Sequence, residues 1–149
     1  MYKIASEEVR KAVSEEGPLS FAIKGGWEDH GVDQNYIPYH IIMKNNGRRH
    51  IFDCYVSKSK LSFFFEHVKL SEELKNDKAL AEVYFEKFLV NAIEYAKSFE
   101  KSAVVITSEL PFAAEVLLEN KYEIRQTQFI ENNNSLTIRG VYYIKEGNK

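Results

Sequence analysis

Histidine and carboxylate side chains are the residues of this chain that could together hold a metal ion. A tight turn at Asn46-Gly47 would set His50 beside His67 in neighbouring strands, and His40 opposite Asp53. Two histidines and a carboxylate can bind a metal. These two pairs fall on opposite faces of the predicted sheet, however, and neither an H-x-x-x-H nor a C-x-x-C spacing occurs. We therefore predict that the chain has no metal site.

The one cysteine, Cys54, is the residue that could act as a thiol nucleophile. It has no histidine nearby in the sequence, and the alternation of its strand places it on the apolar face. An inert thiol in the core is the interpretation that this pattern favours. A single cysteine also forms no internal disulfide, so we expect a reducing compartment, the cytoplasm.

Length and charge exclude several classes of protein. A chain of 149 residues is expected to form one domain, 1–149. Its net charge of −2 lacks the concentrated positive charge that binding to nucleic acid or to an anionic membrane requires. No apolar run approaches the roughly 20 residues that a transmembrane helix needs. We therefore expect neither a nucleic-acid partner nor a membrane.

The first half of the chain predicts a helix followed by strands. Ser6 is placed to cap a first helix, which Gly17-Pro18 would end, and Leu19 to Lys24 is a short strand. Period-two alternation then predicts an antiparallel meander of three strands, Ile37–Lys44, His50–Val56 and Leu61–Val68. With tight turns, one face of this meander is core. That face would carry Ile41, Met43, Phe52, Cys54, Val56, Leu61, Phe63 and Phe65.

The opposite face of the meander mixes aromatic and polar residues, as a half-covered sheet or a binding surface would. Its members in the same register are His40, Ile42, Ile51, Asp53, Tyr55, Ser62, Phe64 and Glu66. A slip of one residue would exchange the two faces, so this assignment depends on the turns.

The second half predicts a β-α-β unit and a closing hairpin. Asp77 would cap a long helix, Lys78–Glu100, which leads to the apolar strand Ala103–Ile106. A second helix begins at Ser108 or Leu110. The last two strands are Tyr122–Ile130 and Leu136–Ile144. The fold class is therefore α/β (α+β), with one mixed sheet in which the third meander strand runs parallel to Ala103–Ile106.

This order of elements resembles the GNAT superfamily of acyl-coenzyme A-dependent N-acyltransferases. The similarity is most specific in AIEYAKSFEKSAVVITSELPFAAEVLLENKYEI, residues 92–124. In that family the last helix closes with a small residue, an apolar pair, charged residues and then Gly-Phe. Here the corresponding residues are Ala113, Val116-Leu117, Glu119 and Lys121-Tyr122. The resemblance implies a GNAT-like fold and transfer of an acetyl group from acetyl-CoA to a small-molecule or peptide amine.

The sequence departs from the family in its cofactor loop and in its acid. The equivalent run, Leu70 to Ala79, contains no glycine, and none occurs from Arg48 to Arg139. The Tyr that often serves as general acid in the last helix is Leu117 here. These departures leave a second function class open. It is a non-catalytic binding or interaction protein on the same scaffold that has lost coenzyme A binding.

If acyl transfer is retained, the resemblance implies roles for a few residues. A base must take a proton from the ammonium, and a donor must protonate the leaving thiolate. Glu66, near the end of the third meander strand, is the first candidate base and His67 the second. The candidate acids are Tyr84, Tyr122 and Tyr142.

Binding of the cofactor phosphates would fall to residues at the start of the long helix. Lys75, Asn76 and Lys78 could meet phosphates there through charge and the helix terminus. An open edge at either end of the sheet would also allow a second copy of the chain to pair, which gives a homodimer as a further expectation.

Overall fold

The computed structural model describes residues 5–23, 39–45, 49–130 and 135–144, with side chains for 5–21, 50–125 and 136–144. The predicted turn at Asn46-Gly47 and the tip of the closing hairpin lie outside these residues. The side chains of His40, Ile41, Ile42 and Met43 lie outside them as well.

The described strands form one mixed sheet. Their bounds are β1 Leu19–Ile23, β2 Tyr39–Asn45, β3 Arg49–Lys58, β4 Ser62–Leu70, β5 Ala103–Ser108, β6 Glu123–Ile130 and β7 Ser135–Tyr143. The strand order is β1-β2-β3-β4-β5-β7-β6. β4 and β5 pair in parallel, whereas the other pairs are antiparallel. The predicted fold class, with its meander, its parallel pair and its closing hairpin, is confirmed.

The first two α-helices begin where the capping residues predict. α1 spans Glu7–Ser14, and the Ser6 side chain accepts from the Val9 amide at 3.3 Å. α2 spans Lys78–Ser98, and the Asp77 carboxylate accepts from the Leu80 amide at 3.1 Å. Both caps satisfy amides that have no partner within the helix. Before α2, a 3₁₀ turn covers Glu72–Leu74.

α2 and α3 each differ from the sequence prediction at one end. α2 ends at Ser98 because the backbone turns into the left-handed region at Glu100, with φ of 59°. α3 spans Ala113–Glu119, later than predicted, because Ser108 remains in β5. Its hydroxyl donates to the Val68 carbonyl at 2.7 Å and accepts from the Leu110 amide at 3.2 Å.

The helices cover one face of the sheet, which we call the helix face. Aromatic side chains fill the space between α2 and this face. Phe52 and Phe65 on the sheet contact Phe88 on α2, with ring centroids 5.6 and 5.3 Å apart. All three rings are fully buried. Because successive strand residues alternate sides, Phe64, Glu66 and Thr107 lie on the opposite face, which we call the far face.

The predicted core face of the meander is largely confirmed. Phe52, Cys54, Val56, Phe63 and Phe65 are all buried. The prediction for Leu61 is wrong, because this residue precedes β4 in a turn and is 62% exposed. Ile51 was predicted on the mixed face but is fully buried. An irregularity between Ile42 and Lys44 of the β2–β3 ladder breaks the alternation beside it.

Two ion pairs join α1 to α2. Arg10 on α1 forms ion pairs with Glu82, at 3.0 Å, and with Glu86 on α2. No helix among the described residues is long and apolar enough to cross a bilayer.

Candidate active site

The parallel ladder between β4 and β5 is interrupted close to its end. It pairs Ser62 with Ala103 and continues regularly to Phe65 with Ile106, then resumes with Val68 and Ser108. Two residues of β4, Glu66 and His67, therefore face one residue of β5. His67 adopts a left-handed backbone with φ of 55°, which is uncommon for a residue other than glycine. This combination is a β-bulge, a feature that re-aims side chains and ends regular pairing.

Side-chain hydroxyls replace backbone hydrogen bonds at this bulge. The His67 amide donates to Thr107 Oγ1 at 2.8 Å, and Ser108 Oγ donates to the Val68 carbonyl at 2.7 Å. Thr107 and Ser108 are themselves buried. The regular pairing of β4 with β5 is therefore interrupted at Glu66-His67, and hydroxyls of β5 contact β4 there. The region formed by Glu66-His67 and Thr107-Ser108 is called the cleft below.

Glu66 lies at the cleft with its carboxylate held by two groups. Its Oε2 accepts from Thr107 Oγ1 at 3.1 Å, and its Oε1 lies 3.7 Å from the Arg139 guanidinium of β7. The side chain is 14% exposed. The two contacts hold the Glu66 carboxylate in a fixed and largely sheltered position. Such a group can accept a proton from a bound cation.

His67 lies beside Glu66 but contacts a different carboxylate. Its Nδ1 is 3.0 Å from Glu109 Oε2, in the connection between β5 and α3. The same oxygen accepts from Thr137 Oγ1 of β7 at 2.8 Å. The His67 side chain is half exposed. The structure therefore brings Glu66 and His67 together at one end of the β4–β5 pair, each with its own partner.

The candidate acids lie elsewhere. Tyr122 is buried, and its hydroxyl donates to the Leu89 carbonyl of α2 at 3.0 Å. Burial raises the pKa of Tyr122 far above its ordinary value, and neighbouring Tyr142 raises it further. The Tyr84 hydroxyl, also buried, donates to Glu16 Oε1 at 2.6 Å. Alternation along β7 puts Tyr142 on the helix face, since Arg139 is on the far face with Glu66. None of these phenols has a described contact with Glu66 or His67.

Leu117 occupies the position at which the resemblance implies an acid. Leu117 of α3 is fully buried. Its methyl groups lie so close to Gly140 of β7 that a Cβ at Gly140 would come within 3.0 Å of them. Leu117 therefore seats α3 against the sheet and offers no proton.

The predicted cofactor residues lie at the entry to α2. Lys75, Asn76 and Lys78 are exposed, and Lys75 Nζ is 3.9 Å from the Glu72 carboxylate. This turn follows the end of β4 through Ser71, so it belongs to the same end of the sheet as the bulge. The Asp77 carboxylate caps the helix between these residues. A helix N-terminus with lysines attracts phosphate, whereas the Asp77 charge opposes it.

The two histidine pairs considered for a metal do not form. His50 pairs with Lys44, and its Nε2 is 2.7 Å from Asp53 Oδ1 rather than near His67. Asp53 pairs with Ile42 rather than His40. Among the described residues, no three His, Cys, Asp or Glu side chains are grouped as metal ligands would be.

No protein-family model matches this sequence, and no curated protein matches it either. Solved structures do match the fold. The N-terminal domain of a ribosomal-protein-alanine acetyltransferase from Clostridium acetobutylicum superposes with a TM-score of 0.55, at 13% identity over 78% of this chain and 92% of that one. A Bacillus subtilis acetyltransferase in complex with CoA gives 0.55, at 10% identity over 86% and 99%.

A GNAT family acetyltransferase from Elizabethkingia anophelis, with acetyl-CoA bound, gives a TM-score of 0.50 at 12% identity, covering 85% of this chain and 98% of that one. This chain has a GNAT-like fold. At such low identity the likeness concerns the GNAT-like fold alone. Glu66, His67 and Thr107 therefore have to support any activity by their own geometry.

Several residues of the cleft were not predicted from the sequence. Thr107, Glu109, Thr137 and Arg139 supply the contacts that hold Glu66 and His67. One signal was present in the sequence: two hydroxyl residues, Thr107-Ser108, follow directly on the apolar run of β5. The other contacts depend on strand register and leave no local pattern.

Proposed function

We propose that this protein is an acyl-CoA-dependent N-acyltransferase that transfers an acetyl group to an amine. The observation that carries the proposal is the cleft between β4 and β5, where the sheltered Glu66 carboxylate and the His67 amide lie on either side of Thr107. The GNAT-like fold supports it, because matching structures include complexes with CoA and acetyl-CoA.

Glu66 is the proposed general base. An amine is an ammonium near neutral pH and must lose a proton before its nitrogen can attack a carbonyl carbon. The Glu66 carboxylate is ionised, attracts the cation and accepts that proton. The nitrogen then forms a bond to the acyl carbon while the carbon–sulfur bond breaks. The sulfur leaves as a thiolate and takes up the second proton, which the nitrogen releases as it becomes an amide.

His67 contributes its backbone amide to the proposed site. The amide donates to a side-chain oxygen, which moves away when the Thr107 side chain changes rotamer, whereas a backbone carbonyl of a strand cannot move in this way. A carbonyl oxygen of a bound ligand can therefore replace Thr107 Oγ1 as the acceptor. An N–H aimed at a carbonyl oxygen that gains charge during the reaction stabilises the transition state.

The residues present fit an acyl-CoA ligand at both ends of the proposed path. At the cleft, the His67 N–H and the Val68 C=O are held by rotatable hydroxyls and can pair with an extended amide chain. At the α2 entry, Lys75, Asn76 and Lys78 would hold the phosphates through charge and hydrogen bonds. Acyl-CoA supplies the activated thioester. The proposed mechanism includes no tyrosine as an acid. Leu117 stands in place of the expected tyrosine, and the Tyr122 hydroxyl is bonded to the Leu89 carbonyl in the core.

The test is an acetyl-transfer assay with acetyl-CoA and a panel of small amines and peptides with free N-termini. We expect turnover by the wild type and a loss of about 100-fold in kcat for Glu66→Gln, since general base catalysis has that scale. Glutamine keeps an acceptor for the Thr107 hydroxyl. Glu119→Gln, which removes an exposed carboxylate from α3, is the matched control and should leave kcat unchanged. Equal rates for the wild type and Glu66→Gln would refute the role of Glu66.

A further inference from the structure

The Glu109 carboxylate lies where it can fix the chemical form of the His67 ring. Its Oε2 receives two hydrogen bonds, from Thr137 Oγ1 at 2.8 Å and from the His67 Nδ1 position at 3.0 Å. An ionised carboxylate only accepts hydrogen bonds. The His67 nitrogen that faces it must therefore carry the hydrogen. In the neutral ring this leaves Nε2 with a free lone pair.

His67 is also fixed through its backbone. Its amide is bonded to Thr107, and its φ of 55° is a conformation in which a side chain is disfavoured relative to glycine. A histidine therefore occupies a position at which the backbone conformation alone would favour glycine. An outlier of this kind, beside a candidate site, is a reason to look for a function of the side chain.

Glu109 is itself held on both sides of its strand. It follows β5 directly, and its carboxylate reaches His67 on β4 and Thr137 on β7, the two strands that flank β5. The Glu109 side chain is 27% exposed, so its contact with His67 is accessible to water. A ring held at one nitrogen by an anchored carboxylate keeps a constant orientation.

We infer that Glu109 is a positioning residue for His67, holding the ring with hydrogen on Nδ1 so that Nε2 is a second proton acceptor of the site. The claim that Nε2 accepts a proton during catalysis rests on the proposed function. The claim that Glu109 fixes the tautomer of the ring is independent of it.

The first test observes the tautomer directly. ¹⁵N chemical shifts of the His67 ring, assigned with His67→Asn as the blank, are measured in the intact protein at mildly alkaline pH. We expect hydrogen on Nδ1 and an unprotonated Nε2 in the wild type. Glu109→Gln should shift the ring toward hydrogen on Nε2, the form that free histidine favours. Hydrogen on Nε2 in the wild type overturns the inference without affecting the role proposed for Glu66.

The second test separates positioning from a structural role. Asparagine at 67 can donate from its amide to Glu109 and tolerates the left-handed backbone, but it has no atom equivalent to Nε2. We expect His67→Asn to melt as the wild type does and to lose about tenfold or more in kcat. Glu109→Gln should lose about tenfold in kcat with little change in KM.

Glu119→Gln removes an exposed carboxylate from α3, outside the site, and is the matched control, with kcat expected to stay within about twofold of the wild type. If Glu109→Gln and Glu119→Gln lower kcat equally, the loss is not specific to the contact between Glu109 and His67 and the inference fails. If the wild type has no acetyl-transfer activity at all, the proposed function fails, and the ¹⁵N spectrum still decides whether Glu109 positions His67.

Discussion

The amide of His67 donates to the hydroxyl of Thr107 at 2.8 Å, so a side chain joins β4 to β5 where a backbone carbonyl would do so in a regular parallel pair. The same hydroxyl donates to Glu66 at 3.1 Å. Thr107 therefore couples the shape of the cleft to the orientation of the candidate base. Removing its hydroxyl should change stability and ligand binding in opposite directions.

Thr107→Val keeps the shape of the side chain and removes the hydroxyl. The free energy of unfolding should fall by about 1 kcal/mol, because two partly buried polar groups, the His67 amide and the Glu66 carboxylate, each lose a partner. A ligand carbonyl would restore the partner of the amide, so affinity for acetyl-CoA should rise about fivefold.

Urea denaturation and calorimetric titration measure these two quantities for Thr107→Val. Ser98→Ala removes an exposed hydroxyl from the C-terminal end of α2, away from the cleft, and should leave affinity unchanged. If stability and affinity for acetyl-CoA fall together in Thr107→Val, the hydroxyl is needed for binding and the proposed exchange of partners is wrong.

Asp77→Ser tests the proposed phosphate site at the α2 entry. Serine is as good an N-cap as aspartate, so stability should change little. The substitution removes a negative charge from the end of the helix where the cofactor phosphates would bind. Affinity for acetyl-CoA should therefore rise about threefold. Glu94→Gln, near the other end of α2, controls for net charge. Equal effects of the two substitutions would mean that the phosphates do not bind at the α2 entry.

Tyr122→Phe tests a structural role for the buried phenol. Loss of the bond to the Leu89 carbonyl should lower the free energy of unfolding by about 1 kcal/mol near neutral pH. Acetyl-transfer activity should be unchanged, since the hydroxyl lies in the core. A large loss of kcat at unchanged stability would restore Tyr122 as a candidate acid.

The pKa of Tyr122 also predicts how this difference depends on pH. Burial raises the pKa in the folded state. Above about pH 10 the unfolded chain ionises the phenol and the folded chain does not, so the wild type loses stability as pH rises. Tyr122→Phe lacks that loss. Denaturation of both proteins at roughly pH 8 and roughly pH 11 should show the advantage of the wild type shrinking at the higher pH.

Lys121→Gly tests the backbone at the end of α3. Lys121 has φ of 68°, a left-handed conformation that glycine adopts without the contact between Cβ and the carbonyl oxygen. The free energy of unfolding should rise by about 1 kcal/mol. Glu119→Gly, two residues earlier and inside the helix, should lower it by about the same amount. A loss of stability in both variants would contradict the turn at Lys121.

The fold could be predicted because its signals are local. Alternation identified β3 and β4, the apolar run Ala103–Ile106 identified β5, and Ser6 and Asp77 marked two helix starts. Local signals failed where the ladders are irregular. Ile51 and Leu61 were assigned to the wrong surroundings because bulges and turn lengths shift the alternation.

The site could be predicted only in part, for a related reason. Glu66 and His67 were found because they lie near the end of a strand. Their partners Thr107 and Glu109 come from β5 and the connection after it, about 40 residues away, and only the register brings them together. The role of Tyr122 depends on burial against α2, which spacing along the chain does not reveal.

The most direct test of the account is the melting temperature of the wild type with and without acetyl-CoA. Ligand at 100 times its Kd should add about 2.7 kcal/mol to the free energy of unfolding. For a chain of this size that corresponds to a rise of roughly 5–10 °C. Inorganic pyrophosphate at equal ionic strength is the control. No rise at millimolar acetyl-CoA, or an equal rise with pyrophosphate, would contradict binding of acyl-CoA in the cleft.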